Sequence, residues 1–203
     1  AGVAGATIGV TDIDRAMTVY RDILGYDTIV ADETGVFPDL EALPSGTQTF
    51  RRRLLTHSRA RKGSFSQLFG PSTIELVQAL ERTPKKLYEG RFWGDPGFIQ
   101  VCFDIRNMEA LGNHCAELGH PFTVDTTQQF KEGNSFDMGD AAGQFAYIED
   151  PDGTLIEFVE THKVPIAKKL GLSINLKNRD PEKPLPKWML KALSVMRVKP
   201  ESL

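Results

Sequence analysis

Thr73-Ile74-Glu75-Leu76-Val77-Gln78 and Leu155-Ile156-Glu157-Phe158-Val159-Glu160 carry one pattern twice: a β-rich run with a glutamate at its third place. Alternate side chains of a strand face the same way, so Glu75 shares a face with Thr73 and Val77, while Ile74 and Leu76 take the other. Glu157 is placed equivalently. A carboxylate inside such an apolar strand is costly unless it is ion-paired, hydrogen-bonded or metal-bound. One such glutamate would ordinarily mark the solvent face of a half-buried sheet. Two at matched positions carry more weight.

Upstream of each run lies a matched strand, turn and helix. Ile8-Gly9-Val10-Thr11-Asp12-Ile13 leads into a helix through Arg15 to Leu24, with Asp12 or Asp14 as cap and Gly25 as stop. Gln100-Val101-Cys102-Phe103-Asp104-Ile105-Arg106-Asn107 leads into a helix from Met108 to Leu118. Leu118-Gly119-His120 then matches Leu24-Gly25-Tyr26. Asp150-Pro151-Asp152-Gly153 is a tight-turn signal ahead of the second glutamate strand, and Gly70-Pro71-Ser72 stands ahead of the first. Between these landmarks, Asp27–Glu33, Phe50–Ser58, Gln144–Glu149 and Pro121–Asp125 read as strands. Each half is therefore β-α-β-β-β.

The expected fold is α+β: two tandem βαβββ modules, 3–80 and 97–162, forming a curved mixed sheet around a cleft. Together they make a domain over 3–162, followed by a basic, helical C-terminal extension over 163–203. Half-sheets of this size are hard to stabilise singly, so their pairing is expected.

The 203 residues carry a net charge of −3, unevenly spread. From Lys163 onward ten Lys or Arg face three acids, a balance of +7, which leaves −10 on residues 1–162. A basic tail over an acidic body accounts for this better than nucleic-acid binding, since the tail has no base-reading element. No apolar run spans a bilayer, and the stretch from Ala1 lacks the basic, apolar and cleavage regions expected of a signal peptide. The two cysteines, Cys102 and Cys115, lie in a strand and a helical pattern as small core residues, which points to a reduced, cytoplasmic protein. The chain opens on Ala1 without an initiator Met, so a processed chain or a piece of a longer polypeptide is expected. A short apolar stripe of Met189, Leu193 and Met196 follows Pro186 and is expected to dock on the body or on a second subunit, which leaves room for a homodimer.

The segments Val10-Thr11-Asp12-Ile13-Asp14-Arg15-Ala16, Tyr20-Arg21, Leu24-Gly25 and Glu149-Asp150-Pro151-Asp152-Gly153-Thr154-Leu155-Ile156-Glu157 resemble the vicinal oxygen chelate superfamily. That superfamily includes glyoxalase I, bleomycin-resistance proteins and extradiol dioxygenases. The resemblance implies paired βαβββ modules curled around a cleft. Each module gives one ligand from its first strand and a glutamate from its last to a divalent metal. Carried over, the metal ligands are Glu75, Gln100 and Glu157, and the fourth position falls on Gly5, which has no side chain to donate. Three oxygen ligands suit Mg or Mn, or borderline Ni, Co and Zn.

The implied activity is that of a metal-dependent lyase or isomerase of glyoxalase type on a small oxygenated substrate, with Glu157 or Glu75 moving a proton. The family's dioxygenases require two histidines at these positions, but His57, His114, His120 and His162 all fall elsewhere. Glyoxalase I uses an arginine where Gly9 stands. Two alternatives stay open: a metal-free module that binds or sequesters a small ligand, and a degenerate module pair of a larger protein.

Arg51-Arg52-Arg53 begin one strand. Alternation sets Arg51, Arg53, Leu55 and His57 on one face and Arg52, Leu54 and Thr56 on the other. Arg53 is the candidate for gripping a substrate carboxylate or phosphate as a fork. The competing reading is a basic edge strand, protected by its charge. The polar stretch Thr126–Gly143 reads as a lid-like loop.

Overall fold

The structure, a computed structural model, describes residues 3–87, 89–92, 94–126, 136–137, 142–167 and 172–193. Strand β1 (Gly5–Gly9) leads into helix α1 (Ile13–Met17), which continues as a wider π-type turn over Thr18–Ile23. Then come β2 (Thr28–Gly35), β3 (Phe50–Thr56), a short helix α2 (Ser66–Phe69) and β4 (Thr73–Ala79). The second half runs β5 (Gln100–Asp104), α3 (Met108–Glu117), β6 (Val124–Asp125), β7 (Phe136–Asp137), β8 (Ala142–Glu149) and β9 (Leu155–Ala167). The tail adds β10 (Leu172–Asn175) and α4 (Lys187–Leu193).

The expected α+β architecture is present. One sheet has the order β1-β4-β3-β2, with β1 parallel to β4 and the rest antiparallel. In the other, β5 lies parallel to β9, β9 antiparallel to β8, and β8 antiparallel to β6. The two registers correspond residue by residue. Gly5 pairs with Thr73 and Thr7 with Glu75, as Gln100 pairs with Leu155 and Cys102 with Glu157. The helix starts repeat as well. Asp12 caps α1 by accepting from the amides of Asp14 and Arg15, and Asn107 caps α3 by accepting from Ala110. The Gln78 side chain receives the Ile13 amide where Glu160 receives that of Met108.

One hydrophobic core spans both halves. Ile13, Ala16, Val19 and Tyr20 of the first helical segment and Met108 and Cys115 of α3 join Ile8, Leu55, Ile74, Leu76, Ile148, Ile156 and Phe158 from the sheets. Each strand thus gives alternate residues to the helix-covered face, and the glutamates take the other. The seam between the modules is also polar. Tyr20 donates to Asp150 at 2.8 Å, and the Thr11 amide donates to Asp152 at 2.8 Å. The Asp150 turn that sequence marked therefore closes a hairpin and fastens one module to the other.

β3 is an interior strand between β2 and β4, so its arginines do not guard an edge; β2 is the outer strand. The described part of the tail is held to the body by strand pairing and buried leucines. β9 runs on to Ala167 and pairs with β10, and beyond it Leu176 and Leu185 are buried. Arg106 donates to the Leu176 carbonyl at 2.9 Å, and the Leu185 amide donates to that of Ser64 at 2.9 Å. Lys62 of the body pairs with Glu182 of the tail at 2.9 Å, with the cation on the body side. Met196 and most of the expected lid-like loop lie outside the described residues. Among the described residues, no helix is long and apolar enough to cross a membrane.

Candidate functional site

The face turned away from the helices carries the chemistry. In the second module, Gln100, Cys102 and Asp104 of β5 share it with Glu157 of β9 and with Phe145 and Tyr147 of β8. The Gln100 amide nitrogen donates to Glu157 Oε2 in a short contact. The Tyr147 hydroxyl donates to Glu157 Oε1 at 2.8 Å and lies 3.2 Å from the Gln100 carbonyl oxygen. Burial, then the hydrogen bond and charge of Glu157, raise the Tyr147 phenol, so it is a proton donor at any ordinary pH. The Cys102 thiol, exposed at this face, stands opposite Glu157 on the neighbouring strand. Crowding by protein, then the neighbouring Glu157 carboxylate, push it up to about 12. Two donors, Gln100 and Tyr147, thus converge on Glu157 and hold it in place.

In the first module, the same face carries Thr7, Glu75, Leu54 and Arg52. Thr7 donates its hydroxyl to Glu75 Oε2 at 3.0 Å. Arg52 reaches Glu75 Oε1 through Nε at 2.8 Å and Nη2 at 2.7 Å. Its Nη1 binds both oxygens of Asp39 at 2.7 and 2.8 Å, and its guanidinium lies 4.8 Å from the Phe37 ring centre. Leu54 stands where Tyr147 stands in the second module, and Arg52 where Phe145 stands. The two halves share a backbone but not a site chemistry.

Of the residues singled out from sequence, the structure brings Gln100 and Glu157 into direct contact. Among the described residues, no hydrogen bond or ion pair links Glu75 to them; its partners are Thr7 and Arg52. Arg53 lies on the opposite face, paired in register with core residue Leu76. It is buried and spends its guanidinium on Asp32 at 2.6 Å and Asp14 at 2.9 Å. The arginine on the glutamate's face is Arg52. Alternation separated the two arginines but could not say which set met the core, since Leu54 and Leu55 lie one on each face. Tyr147 and Thr7 carried no local signal at all.

The donor set does not suit a divalent cation. Glu75 is already neutralised by a guanidinium, which would repel a metal at the same carboxylate. Among the described residues, no three His, Cys, Asp or Glu side chains gather as a metal site. Gly5, the vacant fourth position, cannot be refilled by substitution. A Cβ there would stand 2.4 Å from the Thr73 carbonyl oxygen, so any side chain would force β1 off β4.

The chain's sequence matches the model of the glyoxalase/bleomycin resistance protein/dioxygenase superfamily over residues 2–158. No curated protein matches it. Among solved structures, it is similar to a glyoxalase family protein from Bacillus cereus, with a TM-score of 0.55 and 15% identity, covering 79% of this chain and 93% of that one. It is likewise similar to a glyoxalase family protein from Enterococcus faecalis, with a TM-score of 0.51 and 13% identity, covering 78% and 96%. At these identities the likeness is one of fold.

Proposed function

Because this chain belongs to the glyoxalase/bleomycin resistance protein/dioxygenase superfamily, we propose that it is a metal-free module that binds a small oxygenated molecule on its glutamate-bearing face. The observation that carries this reading is the state of the two glutamates. Both are held by donors from the chain itself, Arg52 and Thr7 on Glu75 and Gln100 and Tyr147 on Glu157. Polar groups fixed in this way are pre-organised for hydrogen-bonding an organic ligand, with little left to order on binding. Phe145 and Tyr147 meet edge to face at 6.1 Å and add apolar area beside Glu157. On this reading residues 3–162 form the binding body, 163–203 brace it, and the protein works in the cytoplasm on a small-molecule partner, as a monomer or homodimer.

The second reading is a metal-dependent lyase or isomerase with Glu75, Gln100 and Glu157 as ligands and Glu157 or Glu75 as base. It is favoured by one observation: Gln100 and Glu157 stand in the register that the resemblance requires. Elemental analysis of the purified protein, with a thermal-shift screen of small oxygenated compounds, separates the two. The binding module predicts metal well below one per chain and a ligand that raises the melting temperature without being consumed. Stoichiometric metal, with turnover abolished by chelation, would replace it with the enzyme.

A further inference from the structure

We infer that Arg52 is a resident cation, built into the first module in place of a metal, and that it masks a two-carboxylate site made by Glu75 and Asp39. This rests on the metal-free reading above. One guanidinium bridges two carboxylates that come from different elements: Glu75 from β4, and Asp39 from the 3-10 turn over Pro38–Leu40 between β2 and β3. Phe37, just before that turn, lies against the guanidinium. The Glu75 end of the arrangement is the shielded one. The Arg52 side chain is 18% exposed and that of Glu75 20%, so this pair sits largely out of water, where an unpartnered charge is costly, while Asp39 reaches in from solvent at 60%.

The second module shows what the position looks like without a cation. The residue matching Arg52 is Phe145, and Glu157 there takes neutral donors instead. The charge at Glu75 is therefore a local feature of the first module and not a requirement of the fold. Removing the guanidinium while keeping its stem would leave Glu75, Asp39 and the Thr7 hydroxyl around one vacated cation position. Hard oxygen ligands of that kind suit Mn or Mg.

The experiment is a Mn(II) titration, followed by calorimetry and by the electron paramagnetic resonance signal of bound Mn, on the full chain. The variants are wild type, Arg52→Met, Arg52→Lys, Glu75→Gln and Arg52→Met with Glu75→Gln, each first shown to be folded by circular dichroism. Arg52→Met is expected to bind Mn at least about tenfold more tightly than wild type, a gain the added Glu75→Gln removes. Arg52→Lys keeps a cation in place and is expected to behave as wild type.

No gain in folded Arg52→Met, an equal gain in Arg52→Lys, or wild-type Mn binding that Glu75→Gln abolishes would each overturn the inference. Wild-type binding that survives Glu75→Gln would instead defeat the metal-free reading, and the gain in Arg52→Met would still decide the role of Arg52.

Discussion

Tyr20→Phe removes one hydroxyl from the seam between the modules and leaves the ring in place. Tyr20 is 0% exposed and Asp150 4%, and their oxygens are 2.8 Å apart. Asp150 Oδ1 accepts the amides of Asp152 and Thr154 at 2.9 and 2.8 Å, so Oδ2 depends on the phenol. Burial first, then the charge of Asp150, raises the Tyr20 phenol well above its ordinary range, so it stays a donor.

A hydrogen bond to a charged group contributes about 1.5–3 kcal/mol, and the buried, well-aligned geometry argues for about 2 kcal/mol here. In a chain of this size, that lowers the melting temperature by roughly 4–8 °C. Urea unfolding followed by fluorescence and by far-ultraviolet circular dichroism should show a lower midpoint, an unchanged slope and coincident transitions, because both modules share one core. A midpoint within experimental scatter of wild type would refute the claim that this bond joins the modules energetically. Two separated transitions would refute the single core.

Leu176→Ala tests whether the tail is a brace. Leu176 is fully buried against the body, so the substitution should cost about 2–4 kcal/mol in urea unfolding, whereas a free tail would show no change. Asp104→Asn tests the electrostatics of the glutamate-bearing face. Asp104 is exposed on this face, but the protein crowding its carboxyl raises it to about 6; Arg106 opposes the rise and Glu160 adds to it. The folded chain therefore holds a proton between about pH 4 and 6 that the unfolded chain has released, so the cost of ionising Asp104 appears as pH rises through that window. Asp104→Asn should stabilise the protein at neutral pH and leave it unchanged near pH 4, as read by denaturation at both. An effect of equal size at the two values would point to a structural cause instead.

The repeat, the βαβββ order, the cap of the first helix at Asp12 and the matched glutamates were legible in the chain itself. Each rests on short-range rules, alternation at period two and turn chemistry within a few residues, which need no knowledge of the partner strand. The register bore out the placing of Gln100 and Gly5 on one repeat position, because parallel pairing of a first strand with a last one repeats when the sequence does.

What alternation cannot supply is which side of a strand meets the core when both sides carry arginine and leucine. That choice followed from β3 lying inside the sheet, where Leu55 and Arg53 face the helices and Arg52 is left with Glu75. The partners that define the site came the same way: Asp39 and Phe37 from a turn, Thr7 and Tyr147 from neighbouring strands, and Asp150 across the module seam to Tyr20. These contacts join residues far apart in the chain. Their existence depends on how the two sheets and their helices close on one core, and only the tertiary structure settles that geometry.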